Sequence, residues 1–148
     1  MIIKKHSPSI RRSSDAKLWA ELDQLCKKTS FWLYTRKQKA RAEQFAERLE
    51  RALRDIPDNG LAIVRAEGLA LLRELEGDLE EAIVYRRREI QLMEKLHREA
   101  ESPSYAASTR AYMLRGRNKA DLRERRAILG RLIKSNTDNR HEFTRKAQ

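Results

Sequence analysis

The chain has 148 residues, of which 40% are hydrophobic and 37% charged, with five glycines, three prolines and a formal net charge of +11. This length fits one ordinary domain and excludes two independent cores of useful size. The few glycines and prolines exclude a fold made of many β-hairpins, because hairpin turns are built from such residues. The composition therefore favours amphipathic helices.

The charge is distributed unevenly along the chain. Residues 1–41 contain eleven Lys or Arg against three Asp or Glu, and residues 110–148 contain twelve against four. Residues 42–109 contain ten Lys or Arg against fifteen Asp or Glu. Both ends are therefore basic and the middle is acidic, a distribution that attracts anionic partners without specifying a fold.

The cysteine content indicates the redox state of the cellular compartment. The single cysteine, Cys26, cannot form a disulfide within the chain, as is typical of proteins from a reducing compartment. No run of about 18 apolar residues could span a bilayer, and the start of the chain lacks the apolar middle region of a secretory signal. These features predict a cytoplasmic protein with no membrane partner.

Apolar residues recur at spacings of three and four from Asp15 onward, which predicts a series of helices. Residues 1–14 show no such period and are predicted to form a flexible basic arm. A single helical domain is predicted over residues 15–134, followed by a flexible basic tail over residues 135–148. Breaks between six predicted helices fall at Thr29-Ser30, Pro57-Asp58-Asn59-Gly60, Gly77-Asp78, Ser102-Pro103 and Gly116 to Asn118.

Two of these breaks contain helix-start signals. Asp78 with Glu81 forms a pair similar to a capping box, and Ser102-Pro103 is typical of an N-cap followed by the first helical turn. The short connections predict that successive helices lie antiparallel. We therefore predict an all-α fold, in which stacked helical hairpins and a compact helical bundle are both compatible with the pattern.

Two stretches resemble parts of a tetratricopeptide repeat. In residues 52–59 an Ala-Leu pair precedes a Pro-Asp-Asn turn, and in residues 77–83 a glycine begins a turn that is followed by the small residue Ala82. A fainter third copy follows Gly116, and its Ala120 lies 38 positions after Ala82. The resemblance implies a short solenoid of helical hairpins that binds a peptide or protein on its concave face and has no chemistry of its own.

No residue pattern points to catalysis, a metal or a cofactor. His6, His97 and His141 are far apart in the sequence and far from Cys26, so no spacing is typical of a zinc site. The chain also has no strand-to-helix nucleophile elbow and no glycine-rich phosphate loop. We therefore predict a protein that is not an enzyme.

Arg86 is a candidate binding residue because it interrupts an apolar stripe. Its position on the predicted helix places a guanidinium at or near the interior. It either pairs with an acid on the preceding helix, such as Glu67 or Glu74, or lines a groove that receives a carboxylate or phosphate.

Two further groups of candidate residues lie towards the basic ends of the chain. The C-terminal group forms either a solvated face or a surface that follows a phosphate backbone. The N-terminal group forms either a helix that closes the core or an aromatic anchor for a protein partner. The groups are Arg115, Arg117, Lys119, Arg123 and Arg126, and Trp19, Trp32, Tyr34 and Arg36.

These patterns lead to two functional hypotheses. The first is a non-catalytic scaffold or adaptor that docks an acidic segment of another protein or a larger assembly. The alternative is an accessory subunit that binds RNA or DNA through its basic ends.

Overall fold

Six α-helices and one π-helical turn form the computed structural model, which describes residues 8–56 and 61–147. No strand occurs in these two ranges, so the predicted all-α fold is confirmed. The helices are α1 (Pro8–Ser30), α2 (Lys39–Arg54), α3 (Ala62–Leu75), α4 (Leu79–Ala100), α5 (Ala107–Met113) and α6 (Lys119–Ala147), and the π-helical turn Phe31–Thr35 continues α1.

The helices pack as hairpins in chain order. Helix α1 packs on both α2 and α3, and α3 in turn packs on α4. Helix α6 packs on the other side of α4, whereas the short α5 touches only the end of α4. Helices α3 and α4 therefore lie in the middle of the stack, where polar side chains are cut off from water.

The largest apolar core lies between α1, α2 and α3. It includes Leu22, Leu49 and Leu71, each with no exposed surface. Gly68 allows α2 to approach closely, since a Cβ at this position would lie 3.1 Å from a methyl of Leu53. Two smaller clusters join α4 to α6, and they consist of Ala82 and Ile83 with Ile128 and Leu132, and of Ile90 and Met93 with Leu122.

The glycine breaks separate the helices as predicted. Gly77 and Gly116 have φ values of +84° and +69°, which residues with a Cβ rarely adopt. The Asp78 carboxylate accepts a hydrogen bond of 3.1 Å from the Glu81 backbone N–H, so the predicted cap of α4 is confirmed. At the start of α6, Asn118 and Asp121 cap each other's backbone N–H groups at 2.9 Å.

The predicted break at Thr29-Ser30 is wrong. The Thr29 hydroxyl donates to the Leu25 carbonyl at 2.7 Å, inside the same helix, and so does not serve as an N-cap. The chain stays helical through Thr35, and the reversal towards α2 occurs at Arg36 to Gln38.

The predicted start of the fifth helix is also wrong. The Ser102 hydroxyl bonds to the Ser104 hydroxyl at 2.7 Å instead of capping the backbone. Helix α5 begins only at Ala107, after Ala106 in an extended conformation. It is therefore a short helix, and the end of α4 is left partly uncovered.

The two ends of the chain are more helical than the sequence indicates. Helix α6 continues to Ala147, past residue 134 where its end is predicted, and Arg140 pairs with Glu80 of α4. Within the predicted basic arm, residues 8–14 belong to α1. Residues 1–7 of the arm and the predicted turn at residues 57–60 lie outside the described residues.

Gly130 provides a test of how helix propensity supports α6. It lies on the exposed side of the helix, and a Cβ there would meet no atom within 4 Å. We expect Gly130→Ala to raise the free energy of unfolding by about 0.5–1 kcal/mol, which raises the Tm by about 1–4 °C in thermal unfolding. The control Gly77→Ala should lower the Tm, because Gly77 has a φ of +84°. A lower Tm for Gly130→Ala would contradict this account.

Candidate functional site

A network of charged side chains lies inside the packing of α1, α3, α4 and α6. Arg86 and Glu67 are each 1% exposed, and Glu89 is fully buried. Burial of so many charges is costly unless each has a partner of opposite charge. We call this set the buried charge network, and it consists of Asp23, Glu67, Arg86, Glu89, Arg117 and Arg125.

Glu89 lies between two guanidinium groups of the network. Arg86 Nη1 donates to its Oε1 at 2.9 Å, and Arg125 Nε donates to its Oε2 at 3.1 Å. Arg125 Nη2 also donates to Glu67 Oε2 at 3.2 Å. The three helices α3, α4 and α6 are therefore connected through Arg125.

Arg117 connects the network to the segment between α5 and α6. Its Nη1 lies 3.8 Å from Asp23 Oδ1 on α1, and its Nη2 lies 3.6 Å from Glu67 Oε2 on α3. His97 Nε2 on α4 donates to the Arg117 carbonyl at 2.6 Å. One buried residue thus holds the α5–α6 connection against three helices.

Arg86 forms an internal ion pair and does not line a groove, but its direct partners differ from the expected Glu67 and Glu74. Its ion pair is with Glu89, three residues further along the same helix, at 2.9 Å. Its Nη2 donates to the Tyr34 hydroxyl at 3.2 Å, and that hydroxyl donates to Glu74. Glu74 is therefore reached through Tyr34, and Arg86 is not accessible to an external partner.

The carboxylates of the network titrate differently. Burial raises the pKa of Glu89 to about 6, because the loss of hydration, together with the neighbouring Glu67 charge, outweighs the lowering by Arg86 and Arg125. Burial acts in the same direction on Glu67, but Arg125, Arg117 and Arg86 together hold its pKa below the ordinary value. Glu89 is therefore the carboxyl of this pair that takes up a proton first.

The buried charges cancel formally. Three acids and three arginines form the network, so the formal net charge of +11 is carried by the rest of the chain. Cys26 lies beside the network, and burial raises the pKa of its thiol. The network is a structural element, since its charged groups bind one another.

A groove lies on the surface next to Arg117. Its volume is about 840 Å³, and it is bordered by α1, the start of α3, the second half of α4 and the α5 region. Its charged lining residues are Lys95, Arg115, Arg117 and Glu99, and Tyr112 at its edge is 76% exposed. Its apolar walls include Trp19, Leu61, Ile63, Leu92, Leu96 and Met113.

The aromatic residues proposed as an anchor pack against the core of α1, α2 and α3 and do not share the groove. Trp19 lines the groove, and Tyr34 belongs to the contacts of Arg86. Trp32 is half-buried with the Arg41 guanidinium 4.7 Å from its ring centre, and Arg36 lies over Phe31 at 5.6 Å. Only Trp19 of the predicted N-terminal group contributes to the groove.

The predicted C-terminal cations lie in three different places: at the groove, in the buried charge network and on the exposed surface of α6. Arg115 is exposed at the groove, whereas Arg117 is 4% exposed and belongs to the network. Lys119, Arg123 and Arg126 are exposed on α6, and Arg126 Nη2 lies 3.4 Å from Glu94 on α4.

The sequence predicted Glu67 only as one of two possible partners of Arg86. It did not predict Glu89, Arg125 or most of the groove residues. A signal for Glu67 was available, because it lies three residues after Val64 and four before Leu71 on the apolar stripe of α3. The groove has no comparable signal, since it arises where the short α5 leaves apolar residues of α4 uncovered.

Comparison of the chain with family models, with curated proteins and with solved structures gives no match. Among the residues that the structure describes, no helix has the length and apolar character needed to cross a membrane. Within the same residues, no group of three or more His, Cys, Asp or Glu side chains could hold a metal ion.

Proposed function

We propose that the chain is a non-catalytic, cytoplasmic adaptor that docks an acidic amphipathic segment of another protein in the groove between α1, α4 and α5. The observation that carries this proposal is the groove itself. Its volume is about 840 Å³, and its apolar walls come from several helices. Its walls offer the apolar contact that the inner face of an amphipathic helix requires.

The charges at the groove favour an acidic occupant. The exposed cations Lys95 and Arg115 line it against the single acid Glu99. Arg117 also borders the groove, but its guanidinium is buried beside Asp23 and Glu67, which balance its charge. A carboxylate of the partner can instead form a charge-assisted hydrogen bond with Lys95 or Arg115, which are both exposed.

Tyr112 is the expected aromatic contact of the docked segment. It is 76% exposed at the groove edge, and exposed tyrosines with an apolar ring and a polar end are common energetic centres of interfaces.

The helical hairpins support the resemblance to tetratricopeptide repeats that the sequence indicates. Gly77 has the left-handed conformation that the turn between α3 and α4 needs, and the small Ala82 is fully buried at the start of α4. Repeat proteins of this kind bind segments of other proteins on a surface formed by several helices.

Trp19 can report on occupation of the groove. In a Trp32→Phe background it is the only tryptophan, since the chain has two. We expect a helical peptide with leucines at positions i, i+3, i+4 and i+7 and glutamates between them to change Trp19 emission until the signal saturates. The same peptide with lysine in place of glutamate should bind at least about tenfold more weakly, because the groove is cationic.

Two variants connect that signal to the groove. Tyr112→Ala and Arg115→Glu should each weaken binding of the glutamate peptide by about tenfold, or about 1.4 kcal/mol. Tyr105→Ala and Arg48→Glu are the matched controls, because both residues lie outside the groove lining. Equal binding of the two peptides, or equal effects of test and control variants, would show that this proposal is wrong.

A further inference from the structure

One side of α6 carries cations without acids. Successive residues of an α-helix are rotated by about 100°, and five cations of α6 fall within a sector about 100° wide. The acids of α6, Asp121, Glu124, Asp138 and Glu142, all project outside this sector. We call this sector the cationic face of α6, and it consists of Lys119, Arg123, Arg126, Lys134 and Arg145.

The cations of this face are exposed and mostly unpaired. Lys119, Arg123, Lys134 and Arg145 form no ion pair with a described residue, and Arg126 has only the partly exposed Glu94 at 3.4 Å. On α2, by contrast, cations alternate with acids, as in the pairs Lys39–Glu43 and Arg54–Glu50. Net charge alone therefore does not explain the acid-free face.

We propose that the cationic face of α6 binds the phosphodiester backbone of a nucleic acid duplex. From Lys119 to Arg145 the helix rises about 39 Å, so the five cations are distributed along nearly the whole length of α6. A duplex carries one negative charge for about every 1.7 Å of its axis, so it supplies phosphates along the whole row. Arg123 and Arg126 add planar guanidinium groups that match phosphate geometry.

The middle of the face is open to close approach. Ala127 and Gly130 are exposed between the cations, and no atom lies within 4 Å of where a Gly130 Cβ would be. No large apolar residue projects from this sector, whereas helices that lie in a lipid surface need an apolar face. The face therefore suits a polyanionic backbone better than a membrane. This site is separate from the groove, and the two proposals can fail independently.

Salt-dependent binding tests this proposal. Anisotropy of fluorescein-labelled DNA and RNA duplexes, each longer than α6, is measured with the full chain over a range of salt concentrations. We expect the triple variant Lys119→Gln, Arg123→Gln, Lys134→Gln to lower the slope of log K against log salt by about 2–3, and to weaken binding at about 0.1 M salt at least tenfold. The triple variant Arg48→Gln, Arg51→Gln, Arg54→Gln on α2 removes equal charge from exposed positions and should leave the slope near that of the wild type.

A single position provides a second test that does not depend on the triple variant. Gly130→Glu places an acid in the middle of the face, and Gly130→Gln places a neutral side chain of the same size there. We expect only the glutamate variant to weaken binding, by about tenfold, with unchanged helical circular dichroism for both.

Three outcomes would overturn the proposal. The first is that the wild-type chain retains neither duplex at low salt. The second is that the two triple variants lose affinity equally, which would mean that binding follows net charge only. The third is that phosphatidylserine vesicles or polyglutamate bind the face more tightly than either duplex.

Discussion

Replacing Arg86 by methionine is expected to destabilise the chain by about 3–5 kcal/mol at pH 7. Methionine fills much of the same space, but it leaves the fully buried Glu89 without its closest ion-pair partner, at 2.9 Å. It also removes the hydrogen bond to Tyr34. Urea unfolding followed by circular dichroism at 222 nm measures the loss, which should be smaller at pH 5, where Glu89 can take up a proton.

Two further variants separate the network from an ordinary surface ion pair. Arg73→Met removes a pair with the same spacing, Arg73–Glu76 at 2.9 Å, from a partly exposed position, and should cost less than about 1 kcal/mol. The double variant Arg86→Met, Glu89→Gln should be more stable than Arg86→Met, since no unpaired carboxylate remains at position 89. Additive effects of the two substitutions would contradict a coupled network.

The free energy of unfolding is expected to fall by about 2 kcal/mol as the pH rises from 4.5 through 6, because Glu89 loses its proton in this range. Its pKa is about 6 in the folded chain against an ordinary value of 4.5, and each pKa unit corresponds to about 1.4 kcal/mol. Between these values the folded chain holds a proton that the unfolded chain has released, so deprotonation favours unfolding. The contribution is complete below pH 4.5 and is lost once the pH exceeds 6.

The difference between wild type and Glu89→Gln isolates this contribution. Glutamine resembles the protonated carboxyl and does not titrate. The free energy of unfolding of the variant should therefore not decrease by this amount between pH 4.5 and 6. Glu47→Gln, at an exposed position of α2, is the control and should keep the fall. If Glu89→Gln has the same profile as the wild type between pH 4.5 and 6, the proton is not held at Glu89.

The periodicity of apolar residues was sufficient to predict the helices of the core. Leu22, Leu49, Leu72 and Met93 lie on predicted stripes and are buried, because a helix that packs on one side must repeat its apolar residues every three or four positions. Helix ends were less predictable. The side chains of Thr29 and Ser102 had alternative hydrogen-bond partners nearby, so the same residue type could cap a helix or not.

The candidate sites depend on contacts between distant parts of the chain. Arg125 reaches Glu67, 58 positions earlier, and such a pair follows from how α6 packs and not from local spacing. The Arg86–Glu89 pair was nearer to prediction, because residues three apart share a helix face. The cationic face of α6 could be predicted only in part, since its extension to Arg145 requires the helix to continue past residue 134.

The position of Cys26 has a consequence for how the fold can be observed. It is the only thiol in the chain, it is fully buried, and burial disfavours the reactive thiolate. A reagent that alkylates thiolates can therefore reach it only when α1 separates from its neighbours. The chain thus contains a natural reporter of transient opening at the helix that borders both the groove and the buried charges.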